Sequence, residues 1–205
     1  MFLLAMVPHT TGPLTMISLA MVPLASLWLP IVLSAVIVFI ASSIMHMLLT
    51  YHRSDYHQLP DEDRLLAALR PANLKRGLYV FPHCLPKDMK SPAIIEKYKQ
   101  GPVGFLMILP SGPPALPKFL AQWFVFCLLV GFFVAYLTGH TVAPGAHYLA
   151  VFRVAGTAAF LAYGLGNITN AIWRGQTWST TIKEVMDGLL YGLLTAGTFG
   201  WLWPR

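Results

Sequence analysis

Four runs of apolar residues, at 27–50, 118–138, 148–167 and 181–203, set the pattern of this chain. Each is close to the roughly 20 residues that an α-helix needs to cross the hydrocarbon core of a bilayer. Between the first and second runs the pattern changes for the stretch 51–117, where short apolar segments alternate with turn residues. Pro60 opens a helix there. Its first turn holds Asp61, Glu62 and Asp63, which suit the positive end of the helix dipole, and Leu65, Leu66 and Leu69 form its apolar stripe until Pro71 ends it. Gly77-Leu-Tyr-Val-Phe-Pro82 reads as a strand bounded by Gly and Pro. Ser91 as N-cap, Pro92 at the first helical position and Gly101 past the end frame a second helix. Residues 103–109 read as a second strand, closed by Pro110. The pattern predicts an all-α membrane protein: a four-helix transmembrane bundle with a small α+β cytoplasmic insert between spans 1 and 2. An insert of this size is marginal as an independent domain and is expected to lean on the membrane surface or the bundle.

Side-chain size along the runs suggests how they pack. In the first, Ala35, Ser42 and His46 share one face, which predicts that His46 points into the bundle. The second run is bulky and aromatic all round, as suits a helix exposed largely to lipid. The third has a seam of Ala155, Ala159, Ala162 and Gly166, and the fourth a Gly188, Gly192, Ala196 stripe. Small residues at this spacing allow close approach, so these helices are expected to pack on each other or to build a homo-oligomer.

Composition supports the membrane class. Of 205 residues 56% are hydrophobic and only 11% charged, against about a quarter charged in soluble domains. The formal charge of +6 is concentrated: ten of the 14 Lys and Arg residues lie between Arg53 and Lys118. There is no Arg-rich helix and no alternation of aromatic with basic residues, so nucleic-acid binding is not expected. The positive-inside rule accounts for the distribution. Arg174 and Lys183 flank the third loop, and the second loop has neither Lys nor Arg. Both facts place the 51–117 insert in the cytoplasm and both termini outside. Cys84 and Cys127 fall in different environments and match no metal spacing, so both are expected to be free thiols. Residues 1–26 lack the basic region of a secretory signal, and prolines at 8, 13 and 23 argue against one continuous helix. They read as an extension with a mis-assigned start, Met16 and Met21 being alternative initiators.

Ionisable groups inside membrane helices are costly, which directs attention to His46 and Asp187. Each lies about one turn from the cytoplasmic end of its run. Asp187 begins a polar face continued by Tyr191, Thr195 and Thr198, and Gln122 and Asn167 lie at similar depth on the other two runs. The set reads either as a polar pocket or proton path opening to the cytoplasm, or as a polar clasp that fixes helix register. Arg153, near the outer end of its run, is a candidate for lipid-headgroup or anion contact by snorkelling. His52, Asp55 and His57 offer metal-ligand types in the juxtamembrane segment; the alternative is a polar segment that reads headgroups or bonds the insert. Cofactor-binding and nucleophile motifs are absent from the sequence, and no cofactor is expected. No run is visibly interrupted in its middle.

Two stretches carry a resemblance: Tyr51-His-Arg-Ser-Asp-Tyr56, and Trp178-Ser-Thr-Thr-Ile-Lys183 running on to Asp187-Gly-Leu and Leu194-Thr-Ala-Gly-Thr-Phe-Gly-Trp-Leu-Trp-Pro204. On these the chain resembles, from Pro30 to Arg205, a family of uncharacterised small bacterial inner-membrane proteins. The resemblance implies a multi-pass protein of the bacterial inner membrane and brings no activity or ligand with it. The expected role is a non-enzymatic accessory, scaffold or interaction component, with the insert docking a protein partner and the bilayer as surroundings. The alternative is a small oligomeric transporter or channel built on His46 and Asp187. A membrane enzyme with a metal at His52, Asp55 and His57 is the third reading.

Overall fold

A computed structural model describes residues 21–205 of the chain. The expectation for residues 1–20 therefore lies outside the described residues. A 3-10 turn at Leu24–Leu27 leads into α1 (Trp28–Ser43), which a π-turn at Ile44–Leu48 extends. The insert follows as α2 (Glu62–Leu69), β1 (Gly77–Phe81), α3 (Pro92–Gln100) and β2 (Gly104–Ile108). Then come α4 (Leu116–Thr141), α5 (Tyr148–Tyr163), α6 (Ile168–Arg174) and α7 (Trp178–Trp201). Three stretches, Leu24–Leu48, Leu116–Thr141 and Tyr148–Arg174, are helical, long and apolar enough to cross a membrane. The fourth run forms α7, 24 residues long, whose first half carries Lys183, Glu184 and Asp187.

The long helices alternate in direction. The end of the first, the start of α4, the end of α5 and the start of α7 meet around one cavity. At the other end Val22 N–H donates to the Gly139 carbonyl (2.9 Å), Gly145 N–H to the Pro204 carbonyl (2.8 Å) and the Trp203 indole to the Ala143 carbonyl (2.9 Å). Each helix has two neighbours: α1 lies against α4 and α7, and α5 against the same two.

The α5–α7 pair is the closest packed, and small residues are the reason. Ala155, Ala159, Gly188, Gly192 and Ala196 are all buried. A Cβ added at Gly188 would overlap the Gly164 backbone and come within 2.7 Å of the Tyr163 carbonyl carbon. One added at Gly192 would lie 3.1 Å from Phe160 N. The fourth-run stripe thus closes on Ala155 and Ala159. Ala162 and Gly166 of the expected third-run seam are exposed, because Ala162 opens on a cavity and Gly166 lies past the end of α5 at Tyr163.

The expectation for the second run also needs correction. The second run is not lipid-facing all round: Cys127, Val130, Gly131, Val134, Ala135, Thr138 and Gly139 form a buried face of α4. Gly131, Ala135 and Gly139 recur every four residues, and a Cβ at Gly139 would sit 2.7 Å from the Val22 carbonyl oxygen. That seam stood in the sequence, hidden among the aromatic residues around it. Two of the runs leave α-geometry, each near its end and not in its middle. The third breaks after Tyr163 into a 3-10 turn at Leu165–Asn167 before α6, which ends at Gly175 in left-handed conformation (φ 70°). The first changes to a π-turn at Ile44–Leu48, with His46 in the middle of that turn.

The insert forms as its turn chemistry dictates. The Asp61 side chain accepts from Arg64 N–H and that of Ser91 from Ile94 N–H, each capping its helix. The strands pair antiparallel, with Leu78 opposite Met107 and Val80 opposite Phe105. Those four side chains are exposed together on one face of the two-stranded sheet, and no residue of 51–117 is buried. Both cysteines are free, Cys127 inside α4 and Cys84 in the insert.

Candidate functional site: a His–Asp cluster at the mouth of a cavity

The π-turn decides where this site lies. It adds a residue to the last turn of the first helix, and Leu49 then turns extended (φ −81°, ψ 141°). The chain folds back across the bundle end as a 3-10 helix, Thr50–Asp55, instead of continuing outward. This lays the His52 ring on the His46 ring, with centroids 4.4 Å apart and planes 24° from parallel. Interruptions of this kind in helices are frequent at functional sites.

His52 is the hub. Its Nδ1 lies 2.7 Å from Asp55 Oδ2 and its Nε2 lies 2.7 Å from Asp187 Oδ2. Asp55 Oδ1 accepts from Lys183 Nζ (2.7 Å) and from the Thr180 hydroxyl (3.2 Å). Lys183 Nζ also donates to the Ser54 hydroxyl (2.8 Å) and the Tyr51 carbonyl (3.0 Å), and it lies 5.3 Å from the centre of the Tyr51 ring. The first two turns of α7 are thereby bound to the 3-10 turn. Segments 51–55 and 180–187 lie directly against each other here.

Proton placement follows from donor and acceptor chemistry. A backbone carbonyl and an ionised carboxylate accept only. His46 Nδ1, 3.2 Å from the Ser42 carbonyl, therefore carries its proton there, and His52 Nδ1 carries one toward Asp55. In its neutral form His46 then has its lone pair on Nε2. His52 Nε2 and Asp187 Oδ2, at hydrogen-bond distance, need a positive centre between them. With a proton there, Lys183, Asp55, His52 and Asp187 form an alternating row of zero net charge, which suits a partly buried position.

Two groups outside the apolar helices are shifted. Burial pushes the Asp55 carboxyl up, but the hydrogen bonds from Lys183 and His52 outweigh it and hold Asp55 below its ordinary value. Burial, then the negative charges of Asp187 and Asp55, push the Tyr51 phenol up to about 12. Because the folded value of Asp55 is depressed, its contribution to stability is complete above the ordinary carboxylate range, near pH 4. That contribution disappears as the pH falls through the lowered value. Lys183→Met removes the main cause of lowering, so its melting temperature in detergent should begin to fall at a higher pH than that of the unaltered protein. Coincident pH profiles would mean that the ion pair contributes nothing.

Beside the cluster lies a cavity of about 510 Å³. His46, Asp187, Glu184 and Tyr191 give it polar groups, and aromatic side chains including Trp123 and Tyr163 form its walls. Asp187 is 3% and Tyr191 4% exposed. Asp187 Oδ1, Glu184 Oε2 and the Tyr191 hydroxyl have no hydrogen-bond partner among the described residues. Carboxylate oxygens only accept, so the cavity is matched to a cation or a hydrogen-bond donor.

The sequence candidates divide accordingly. His46 and Asp187 are brought together, but at 4.0 Å between His46 Nε2 and Asp187 Oδ2, with His52 as the direct partner of Asp187. His46 is half exposed at the cavity mouth and does not point into the bundle core. Tyr191 and Asn167 line the cavity, Asn167 donating to the Tyr163 carbonyl (3.2 Å). Gln122 is exposed and off the cavity, because it falls on the outer face of α4. Arg153 is exposed near the start of α5, at the far end of the bundle. Of His52, Asp55 and His57 the first two join the cluster; His57, beyond the end of the 3-10 turn, is exposed and apart from it. The cavity-lining Glu184 and the tie from Lys183 to Asp55 were missed. The signal available was spacing: Thr180, Lys183, Glu184 and Asp187 stand at i, i+3, i+4 and i+7, the positions of one helix face.

Among the described residues, those whose ligand atoms could converge on a metal ion are His46, His52 and Asp187, with these atoms all within 4.8 Å of one another. Compared with family models, with curated proteins and with solved structures, the chain matches none. Its class therefore rests on its own features: a helical chain with three apolar helices of membrane-spanning length, a small two-stranded sheet and a His–Asp cluster beside a cavity.

Proposed function

We propose that the protein is a four-span protein of the bacterial inner membrane, of the family it resembles, that takes up a cation from the cytoplasmic side. The insert is cytoplasmic and both termini are outside. Asp187 carries this reading: a carboxylate with one oxygen unpartnered, buried in the wall of a cavity beside two histidines. A polar file of Asp187, Tyr191, Thr195 and Thr198, all buried, continues from it along α7. It covers about 17 Å of helix at 1.5 Å per residue, more than half of the hydrocarbon thickness. In this reading α7 is the fourth span, its charges held at the cytoplasmic interface where burial costs least.

The test is flux. Protein reconstituted in liposomes with an internal pH dye, under an imposed membrane potential, should pass protons, and Asp187→Asn should abolish the signal. Absent flux in the unaltered protein, or equal flux in the variant, would overturn proton uptake through Asp187. A reporter fused after Arg205 should be active only if exported. The exposed Leu78, Val80, Phe105 and Met107 face favours a second, accessory reading in which the insert docks a partner.

A further inference from the structure

The geometry points to a divalent transition-metal site formed by His46 Nε2, His52 Nε2 and the Asp187 carboxylate. The inference rests on the cation-uptake reading above and names the cation. Three observations support it independently of the polar file.

The first is tautomer. Metal-ligating histidines hold the metal on one ring nitrogen and donate the other N–H to a carboxylate or a backbone carbonyl, which fixes the ring and raises its basicity. His52 donates Nδ1–H to Asp55 at 2.7 Å, and Asp55 is itself held by Lys183. His46 donates Nδ1–H to the Ser42 carbonyl. Both Nε2 atoms face the same carboxylate. Because imidazole lone pairs lie in the ring plane while the two rings are stacked near-parallel, the His46 ring must swing to aim its own at a metal held by His52.

The second is separation. Three ligand atoms each about 2.1 Å from a tetrahedral metal lie about 3.4 Å from one another. The present separations from Asp187 Oδ2 are 2.7 Å to His52 Nε2 and 4.0 Å to His46 Nε2, on either side of that value. A metal would take the place of the proton between His52 and Asp187, and His46 would close by less than an ångström. His46 stands on the π-turn and is half exposed, so it has room to move.

The third is the unmet acceptors. Asp187 Oδ1 is buried without a partner and is available to a metal as a second carboxylate oxygen. Glu184, three residues earlier on α7, lines the same cavity with its Oε2 unpartnered. Two imidazoles and a carboxylate with open positions are a donor set for zinc or ferrous iron and a poor one for magnesium or calcium, which take oxygen ligands.

The experiment uses the full chain in lipid nanodiscs, stripped with chelator and titrated with Zn²⁺, and in parallel with Co²⁺ as a spectroscopic probe. One Zn²⁺ per chain is expected. His46→Gln and His52→Gln should each weaken binding at least about tenfold, and Asp55→Asn, which only positions His52, by about 10–100-fold. Co²⁺ should show visible ligand-field bands that His46→Gln abolishes. His46→Gln is the decisive variant, because a half-exposed ring can be replaced without unfolding the bundle. No stoichiometric Zn²⁺ or Co²⁺, or binding unchanged in His46→Gln, overturns the site. Proton flux without metal binding would overturn the metal and spare the uptake reading; metal binding without flux of either cation would do the reverse.

Discussion

Asp187→Ala should cost the folded protein about 3–5 kcal/mol, the range for removing one partner of a buried ion pair. Asp187 is 3% exposed, and its Oδ2 is the group facing His52 Nε2 at 2.7 Å. Without it the row keeps Lys183, Asp55 and His52, two positive groups against one negative, in a place water reaches poorly. Asp187→Asn should cost less, because the amide oxygen still accepts from Nε2–H although the charge is lost. Thermal or SDS-induced unfolding in micelles measures both. The decisive comparison is with His52→Ala and the double variant. Contact predicts that the two single losses sum to more than the double loss, by about 0.5–3 kcal/mol. Strict additivity would mean that the imidazole and the carboxylate do not interact.

How much of this could be read from the sequence depends on the scale of the signal. Apolar runs of membrane length and a Ser-Pro or Asp-Glu-Asp helix start are local, so the long helices, the existence of α2 and the capping of α3 by Ser91 were legible residue by residue, although Asp61 caps α2 and does not lie in its first turn. The α5–α7 seam was legible too, because Gly188 and Gly192 stand four apart among large side chains. The equivalent seam on α4 was not, since Phe132, Phe133 and Tyr136 lie between its small residues. For the site, depth along a helix could be counted, and His46 and Asp187 were placed at one level. What could not be counted was the path after Leu48. Straight α-periodicity carries His52 away from the bundle, and only the π-turn and the extended Leu49 return it onto His46. No residue between Ile44 and Leu49 announces that turn: there is no Gly and no Pro. Hence the metal-ligand types were noticed in the right segment but grouped by sequence proximity with His57, whereas the fold groups two of them with Asp187 across 132 residues or more.

The same contacts explain how α7 tolerates three charged residues near its start. Lys183 is held by one side-chain hydroxyl, one backbone carbonyl and one carboxylate, all from residues 51–55. The 3-10 turn thus partners Lys183 and one oxygen of Asp187, leaving Glu184 to the cavity, and α7 in turn fixes the segment that brings His52 over the cavity. Ion pairing and helix packing are therefore coupled through α7, which makes the close α5–α7 contact a determinant of the site as well as of the fold.

Gly188→Ala is expected to separate the two, and its cost should be about 1–3 kcal/mol, as for overpacking a well-filled interior. A methyl group at 188 meets the backbone of Gly164 and Tyr163, which has no rotamer to change, so α5 and α7 must part. On a helix face open to solvent or lipid the same change stabilises, because Ala is the better helix former by about 0.8–1 kcal/mol. Gly197, also on α7, provides that control: a Cβ there makes only an ordinary contact, 3.7 Å from the Tyr148 hydroxyl. Gly197→Ala should leave stability unchanged or raise it, whereas Gly188→Ala should lower it, both measured by unfolding in the same detergent. Asp187 adjoins Gly188, so the separation should also loosen its contact with His52. In the Gly188→Ala background the Asp187–His52 coupling energy should shrink toward zero, and in the Gly197→Ala background it should persist. Undiminished coupling in Gly188→Ala would show that the cluster holds the start of α7 without help from the seam.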